Sequence, residues 1–139
     1  MAVVRPFEPD DLDGVIALCA AEGWPSFPED PARALRALTA PGVTTTVAIE
    51  GEVVAGFAQL LSDGEIQAHL SLIAVHADHR RKGLALALLQ VALERAGGLR
   101  IDLITDSAPE FYAALPHRRL EGFRVWPQFV GASIIQGQD

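Results

Sequence analysis

Hydrophobic residues in the first half of this chain recur with two different spacings, one typical of helices and one typical of strands. Apolar side chains recur every three or four positions between about residues 10 and 21, which predicts a helix with one buried face, and a second short helix is predicted at about 31–39. Strands are predicted at 3–5, 44–49, 53–60 and 66–75. Because tight turns join the last three strands, they are expected to form an antiparallel meander.

The second half changes from strand to helix and back. Residues 84–96 are good helix formers that end at Gly97-Gly98, and the alternating segment 99–105 predicts another strand. A strand, a helix and a strand in this order form a βαβ unit, so strands 66–75 and 99–105 are expected to lie parallel. A further helix is predicted at 108–115, with strand candidates at 122–126 and 132–135. The predicted class is α+β, with a mixed, mostly antiparallel twisted sheet of six to seven strands flanked by about four helices.

Composition narrows the class of protein further. Half of the 139 residues are hydrophobic, which indicates one globular domain, residues 1–139, with a buried core. Cys19 is the one cysteine, so neither a disulfide framework nor a Cys-x-x-Cys metal site is available. No apolar run approaches the length of a membrane span, and the first residues do not resemble a secretory signal. A cytoplasmic protein without a membrane partner is therefore expected.

One basic cluster stands out in an acidic chain. The formal net charge is −7 and the pI is near 5.0, which disfavours nucleic acid as a partner. Against that balance, His79-Arg80-Arg81-Lys82 precedes Gly83 at the predicted start of a long helix. Unpaired amides at a helix N-terminus and nearby cationic side chains together suit a pyrophosphate, whereas a solvated basic helix start is the simpler alternative. The spacing matches neither a P-loop nor a dinucleotide fingerprint.

The pattern Arg-x-x-Gly-x-Ala at residues 80–85, directly after an apolar strand and before an amphipathic helix, resembles the acetyl-CoA signature of GNAT acetyltransferases. The predicted order of elements is similar to that family over nearly the whole chain. The resemblance implies an N-acetyltransferase that moves an acetyl group from acetyl-CoA, as co-substrate, directly to a primary amine of an unidentified small-molecule or protein acceptor. A non-catalytic acyl-CoA sensor or interaction module with the same fold is the alternative.

The resemblance also assigns residues to the coenzyme. Loop amides would bind the pyrophosphate with help from the basic side chains, and the end of the preceding strand would pair with the pantetheine arm. A backbone N–H of that strand end would polarise the thioester carbonyl. The implied coenzyme-binding set is Ile73, Ala74, Val75, Arg80, Arg81, Lys82, Gly83, Leu84 and Ala85.

Tyr112 is the candidate catalytic residue. It is the one tyrosine in the chain and lies on the predicted helix after strand 99–105, where the family commonly carries a tyrosine that protonates the coenzyme sulfur. The alternative is a half-buried tyrosine that packs this helix against the sheet.

The acceptor side is less defined by the sequence. Residues 23–28, with two prolines and a glycine, predict a loop that carries two aromatic side chains toward the acceptor. Trp24 and Phe27 are candidates to line the acceptor pocket, with core packing as the alternative. Candidates to remove the acceptor's proton are Glu22, Glu65 and His69, although His69 could instead be a histidine satisfied within the sheet and a water chain could replace a dedicated base. His76 and His79 are spaced as a pair of metal ligands, but no third ligand is evident, so no metal site is predicted.

The chain departs from the family pattern in two places. Thr105-Asp106 stands where an asparagine is common, which puts one coenzyme contact in doubt. The interval between Tyr112 and Gly122-Phe123 is also long and contains a basic segment at 116–121. By family habit a homodimer is expected, with the C-terminal strands or the 116–121 loop at its interface.

Overall fold

A computed structural model of the chain describes residues 2–129. These residues belong to two compact units, Met1–Leu103 and Ile104–Asp139, each of which is described by itself. None of the helices within residues 2–129 combines the length and the hydropathy needed to span a bilayer.

The first unit contains the sheet and most of the helices. Its elements are β1 (Val3–Pro6), a 3-10 turn (Pro9–Asp11), α1 (Leu12–Glu22), α2 (Ser26–Glu29), α3 (Pro31–Leu38), β2 (Val43–Glu50), β3 (Val53–Ser62), β4 (Gln67–Val75), a second 3-10 turn (Ala77–His79), α4 (Leu84–Ala96) and β5 (Arg100–Asp102). The second unit contains α5 (Pro109–Ala113) and a 3-10 turn (Pro127–Phe129).

The five strands form one sheet in the order β1-β2-β3-β4-β5. The first four strands are antiparallel neighbours, and β5 joins β4 in parallel, with Gln67 opposite Arg100 and His69 opposite Asp102. The predicted α+β class, the antiparallel meander and the parallel βαβ unit are thus confirmed. The described part of the chain has five strands and five α-helices, where six to seven strands and about four helices were expected.

Helices cover both faces of the sheet. Successive strand residues point to opposite faces, so each face has buried side chains that pack against a helix. On one face, side chains from α1 and α3 pack against Val47 and Phe57 in a buried cluster. On the other face lies α4, whose buried Leu88 accepts a hydrogen bond from the Thr46 hydroxyl through its backbone carbonyl (3.1 Å). The absence of a side chain at Gly56 lets α4 approach closely, since a Cβ there would lie 2.9 Å from the Ala74 carbonyl oxygen and 3.1 Å from Leu88 Cδ1.

Three predicted segments differ from the structure. The predicted loop 23–28 contains the start of α2, because Pro28 lies in the first turn of that helix, where its missing N–H breaks no intrahelical bond. The strand predicted at 99–105 is paired only over Arg100–Asp102. Residues 122–126 form no strand within the described chain: they have no ladder partner there, and Phe123 is 84% exposed. The strand candidate at 132–135 lies outside the described residues.

Candidate active site

The end of β4 presents an open backbone edge. The parallel pairing with β5 stops at His69, so the part of β4 from Leu70 to Val75 pairs with β3 alone in the described chain. The His76 N–H donates to the Ala55 carbonyl (2.7 Å), which sets the phase of the antiparallel ladder. Since hydrogen-bonded and non-hydrogen-bonded pairs alternate, the N–H and C=O groups of Ile73 and Val75 point away from β3 toward the open edge.

The loop after β4 adopts an unusual backbone conformation. Arg81 has a φ of +62°, the one positive φ among the described non-glycine residues, and Gly83 follows with a φ of +77°. A left-handed conformation costs a non-glycine residue about 1–2 kcal/mol, and such strain is concentrated at functional sites. Left-handed residues at short intervals turn backbone N–H groups toward a common point, the arrangement that binds anions in many phosphate sites.

The amide groups at the start of α4 are available to a ligand. Gly83 is the N-cap and has no side chain to bond them, and the Ala87 N–H is the first to donate back, to the Gly83 carbonyl (3.1 Å). A Cβ at Gly83 would meet no heavy atom within 4 Å, so the space in front of these amides is open. The helix start therefore combines unpaired donors, the positive end of a helix dipole and room for an anion.

Acidic side chains hold most of the basic cluster in place. The Arg80 guanidinium donates through Nε to the Val75 carbonyl (2.9 Å) and through Nη2 to Glu22 Oε1 (2.9 Å). Glu50 lies near two others, with Oε2 3.3 Å from His79 Nδ1 and Oε1 3.8 Å from Lys82 Nζ. Arg81 has no ion-pair partner among residues 2–129 and Lys82 has only the 3.8 Å contact with Glu50, so these two charges are available to a bound anion.

A cavity of about 510 Å³ opens beside the same strand. It includes Trp24 and Phe27, two of the predicted acceptor residues, and Ser71 and Leu72, which directly precede Ile73 on β4. The remaining lining residues, which the sequence did not single out, are Cys19, Ser26, Ala37, Val43, Gln59 and Leu61. Gln59 and Leu61 are two positions apart on β3 and so share a face of the sheet, but no pattern in the sequence joins them to the other four residues or indicates an incompletely filled space.

The other acceptor candidates do not line this cavity. Glu22 is engaged with Arg80, Glu65 lies in the exposed turn before β4, and His69 is exposed on β4. Burial raises the pKa of the Cys19 thiol to about 11, so this cysteine stays protonated at neutral pH. A second cavity, about 650 Å³, lies between β1, β2 and the last turn of α4 and includes no residue of β4 or of the 80–85 loop.

Tyr112 belongs to the second unit. It lies half-buried on α5, with its ring edge-on to Phe111 at a centroid distance of 4.9 Å. Burial raises the pKa of its hydroxyl above the ordinary value of 10.0, so the side chain carries its proton throughout the neutral range.

The paired histidines do not build a metal centre by themselves. The His76 and His79 rings meet edge-on at 5.8 Å, and His76 Nδ1 accepts from the Asp78 N–H. Within residues 2–129 no group of three or more His, Cys, Asp or Glu side chains is placed to hold a metal ion.

Comparison with known proteins decides the family. The family model described as Acetyltransferase (GNAT) family matches residues 11–118, which span α1 to the segment after α5. The chain belongs to this acetyltransferase family. The match covers every element that contributes to the open edge of β4 and to the loop that follows.

Individual GNAT relatives agree with this assignment. A mycothiol acetyltransferase from Kineococcus radiotolerans is 39% identical over 108 residues, covering 73% of this chain but only 35% of that protein, so the chain spans about a third of its length. A ribosomal-protein-alanine N-acetyltransferase from Brucella melitensis biovar Abortus matches with a TM-score of 0.71 at 20% identity, covering 91% of this chain and 98% of the other. AAC(6')-Iy with a CoA-S-monomethyl-acetylneamine bisubstrate analogue gives a TM-score of 0.73 at 19% identity, covering 91% and 97%. At these identities the two structures establish the fold.

Proposed function

We propose that this GNAT chain transfers an acetyl group from acetyl-CoA directly to a primary amine. The observation that carries the proposal is the strained loop at Arg81 and Gly83, which lies between the open edge of β4 and the uncapped start of α4. An anion held by the surrounding amides would offset the cost of that conformation.

The residues present fit the coenzyme. The amides of Arg81 to Ala85 would bind its pyrophosphate, with the Arg81 and Lys82 side chains beside them. The outward-facing N–H and C=O of Ile73 and the N–H of Val75 would pair with the pantetheine arm as a neighbouring strand does, while the Val75 carbonyl accepts from Arg80. Ala74 bonds toward β3 and is buried, so it would support this edge through packing rather than by direct pairing.

Acetyl-CoA supplies an activated thioester, and this chain supplies position and protons. An outward N–H of β4 would donate to the carbonyl oxygen, where negative charge develops as the amine nitrogen bonds to the carbonyl carbon. The carbon–sulfur bond then breaks, the amine loses a proton and the departing thiolate takes one. Tyr112, which keeps its proton at neutral pH, is our proposed donor for the sulfur.

The proposal is tested first by coenzyme binding. Isothermal calorimetry with acetyl-CoA should show binding to the wild type and a loss of at least a hundredfold in affinity for Gly83→Glu, which fills the anion site with a carboxylate. Gly64→Glu is the matched control, since Gly64 has a similar φ of +82° but lies in the turn at the far end of β4. If the two variants bind equally well, the proposed pyrophosphate site is wrong.

Turnover is tested separately. Release of the free thiol is followed with a panel of amines that includes peptide N-termini. Coenzyme binding without thiol release on any amine would favour the non-catalytic sensor instead. The proposal includes a homodimer, and light scattering tests it by measuring whether the molar mass is that of two chains.

A further inference from the structure

The cavity beside β4 is lined by side chains that recognise apolar groups. Trp24 and Phe27 supply aromatic surface, and Leu61 and Leu72 supply aliphatic surface. Its volume of about 510 Å³ lies within the range of small-molecule sites, so a side chain or a small ring system can be enclosed there.

The polar groups of the lining are neutral. Ser26 and Ser71 carry hydroxyls, and the Gln59 amide already donates to the Ala37 carbonyl (3.2 Å). No Asp, Glu, Lys or Arg is among the lining residues, and Cys19 holds its proton. Glu22, an acidic acceptor candidate from the sequence, is bonded to Arg80. A second ammonium group entering this cavity would therefore lose its hydration and find no counter-charge.

The cavity and the edge proposed to hold the thioester are neighbours on strand β4. Ser71 and Leu72 line it, and Ile73 and Val75 follow at once on the same strand. Residues on a strand advance about 3.3 Å each, so an amine nitrogen at the edge and a body of a few carbons in the cavity belong to one small molecule.

We infer that the acceptor carries an apolar body, aliphatic or aromatic, with a single amine, and that this body occupies the cavity formed by α1, α2, α3, β2, β3 and β4. The inference rests on the proposed acetyl transfer and specifies its acceptor class. Polyamines and other polycationic acceptors are excluded by the lining, because the energetic cost of desolvating each further charge is not offset by any carboxylate.

A pair of amines that differ only in a second charge tests this directly. Hexylamine and hexamethylenediamine have the same carbon chain, and phenethylamine adds an aromatic body. For the wild type we expect kcat/KM with hexylamine or phenethylamine to exceed that with the diamine at least tenfold. Calorimetry of each amine with coenzyme A present reports binding independently of turnover.

Leu61→Asp places a carboxylate in the cavity and should shift the amine selectivity toward the diamine. Leu61 is 39% exposed, so an aspartate there keeps contact with water and the fold is expected to survive. The ratio of kcat/KM for diamine over hexylamine should rise at least tenfold. Ile66→Asp is the matched control, because Ile66 is 49% exposed and does not line the cavity, and its ratio should equal the wild-type ratio.

The outcomes separate the two proposals. Loss of acetyl-CoA binding overturns the proposed function, whatever the amines do. Coenzyme binding together with a preference for the diamine, or with no binding or reaction of any of the three amines, overturns only the acceptor class. If octanoyl-CoA is a better donor than acetyl-CoA and Leu61→Asp removes that advantage, the cavity holds an acyl chain and the inference is wrong.

Discussion

Arg80 offers the sharpest test of how the coenzyme loop is held. Its guanidinium joins three parts of the fold: the loop, the end of β4 through the Val75 carbonyl, and the end of α1 through Glu22. Arg80→Ala removes both contacts and leaves the strained loop tied to the rest of the unit by fewer bonds. We expect the loop to lose its binding conformation for part of the time, so that acetyl-CoA binds more weakly.

The size of the effect follows from the two contacts. The ion pair is exposed, with side-chain accessibilities of 55% for Arg80 and 30% for Glu22, and pairs of this kind contribute about 0.2–1 kcal/mol. The hydrogen bond to the Val75 carbonyl contributes about 1 kcal/mol. A total of about 1–2 kcal/mol corresponds to a roughly 5- to 30-fold increase in the dissociation constant of acetyl-CoA.

Two further variants separate position from charge. Glu22→Gln removes the ion pair but leaves the Val75 bond, so we expect no more than about a fivefold loss in affinity. Arg95→Ala removes an equal charge from the last turn of α4, about 15–20 Å along the helix from its start, and should bind acetyl-CoA as the wild type does.

The assay is calorimetry at low and high salt. Between about 0.1 M and 1 M salt the Debye length falls from about 10 Å to 3 Å, so the effect of Glu22→Gln should disappear. The effect of Arg80→Ala should persist at about threefold or more, because the bond to the Val75 carbonyl is short-ranged. An Arg80→Ala protein that binds within twofold of the wild type, or whose whole deficit vanishes in 1 M salt, would refute this account.

Three other changes have expected outcomes. Tyr112→Phe should lower kcat about 10²-fold with acetyl-CoA affinity unchanged, by steady-state kinetics, since a general acid contributes about that much; an unchanged kcat would exclude it as the proton donor. Gly56→Ala should reduce the free energy of unfolding in urea by about 1–3 kcal/mol, because its Cβ would lie 2.9 Å from the Ala74 carbonyl; equal stability would mean that α4 shifts without cost. Asp11→Asn should cost about 1–3 kcal/mol at pH 7 by losing its hydrogen-bonded pair with Arg5 (2.8 and 2.9 Å). The Arg5 hydrogen bonds lower the pKa of Asp11 in the folded protein below its ordinary 3.8. The stabilisation by this pair is therefore complete above pH 3.8 and is lost as the pH falls through the folded pKa. The difference in unfolding free energy between the two proteins in urea should shrink at about pH 3, and a constant difference would contradict this account.

The sequence predicted the coenzyme side of the fold well because its signals are local. Helix α4 begins and ends where the helix formers and Gly97 indicated, at Leu84 and Ala96. The turns at Gly51 and Gly64 placed β2, β3 and β4 within one or two residues. What no pattern indicated was the left-handed backbone of Arg81, since a positive φ at an arginine results from the surrounding structure and not from its own preference.

Elsewhere the sequence is less informative, because long-range contacts decide. Residues 122–126 alternate like a strand, yet they meet no ladder partner within the described chain, and alternation alone cannot supply one. Glu22 was chosen for its position beside the aromatic segment, but Arg80, 58 residues later, takes its carboxylate. Glu65 lies exposed in the turn before β4 and His69 is exposed on that strand, so their role toward an acceptor stays a prediction.

The proposed donor site and the proposed acceptor site therefore differ in how their residues are distributed along the sequence. The proposed donor site is made of backbone groups in a contiguous segment, so a six-residue pattern and a helix start are enough to propose it. The acceptor cavity is made of side chains from α1, α2, α3, β2, β3 and β4, brought together only when the meander and the helices pack. A residue such as Leu61 can change without disturbing the coenzyme loop, which is why a single aspartate there is expected to alter the choice of amine and leave acetyl-CoA binding intact.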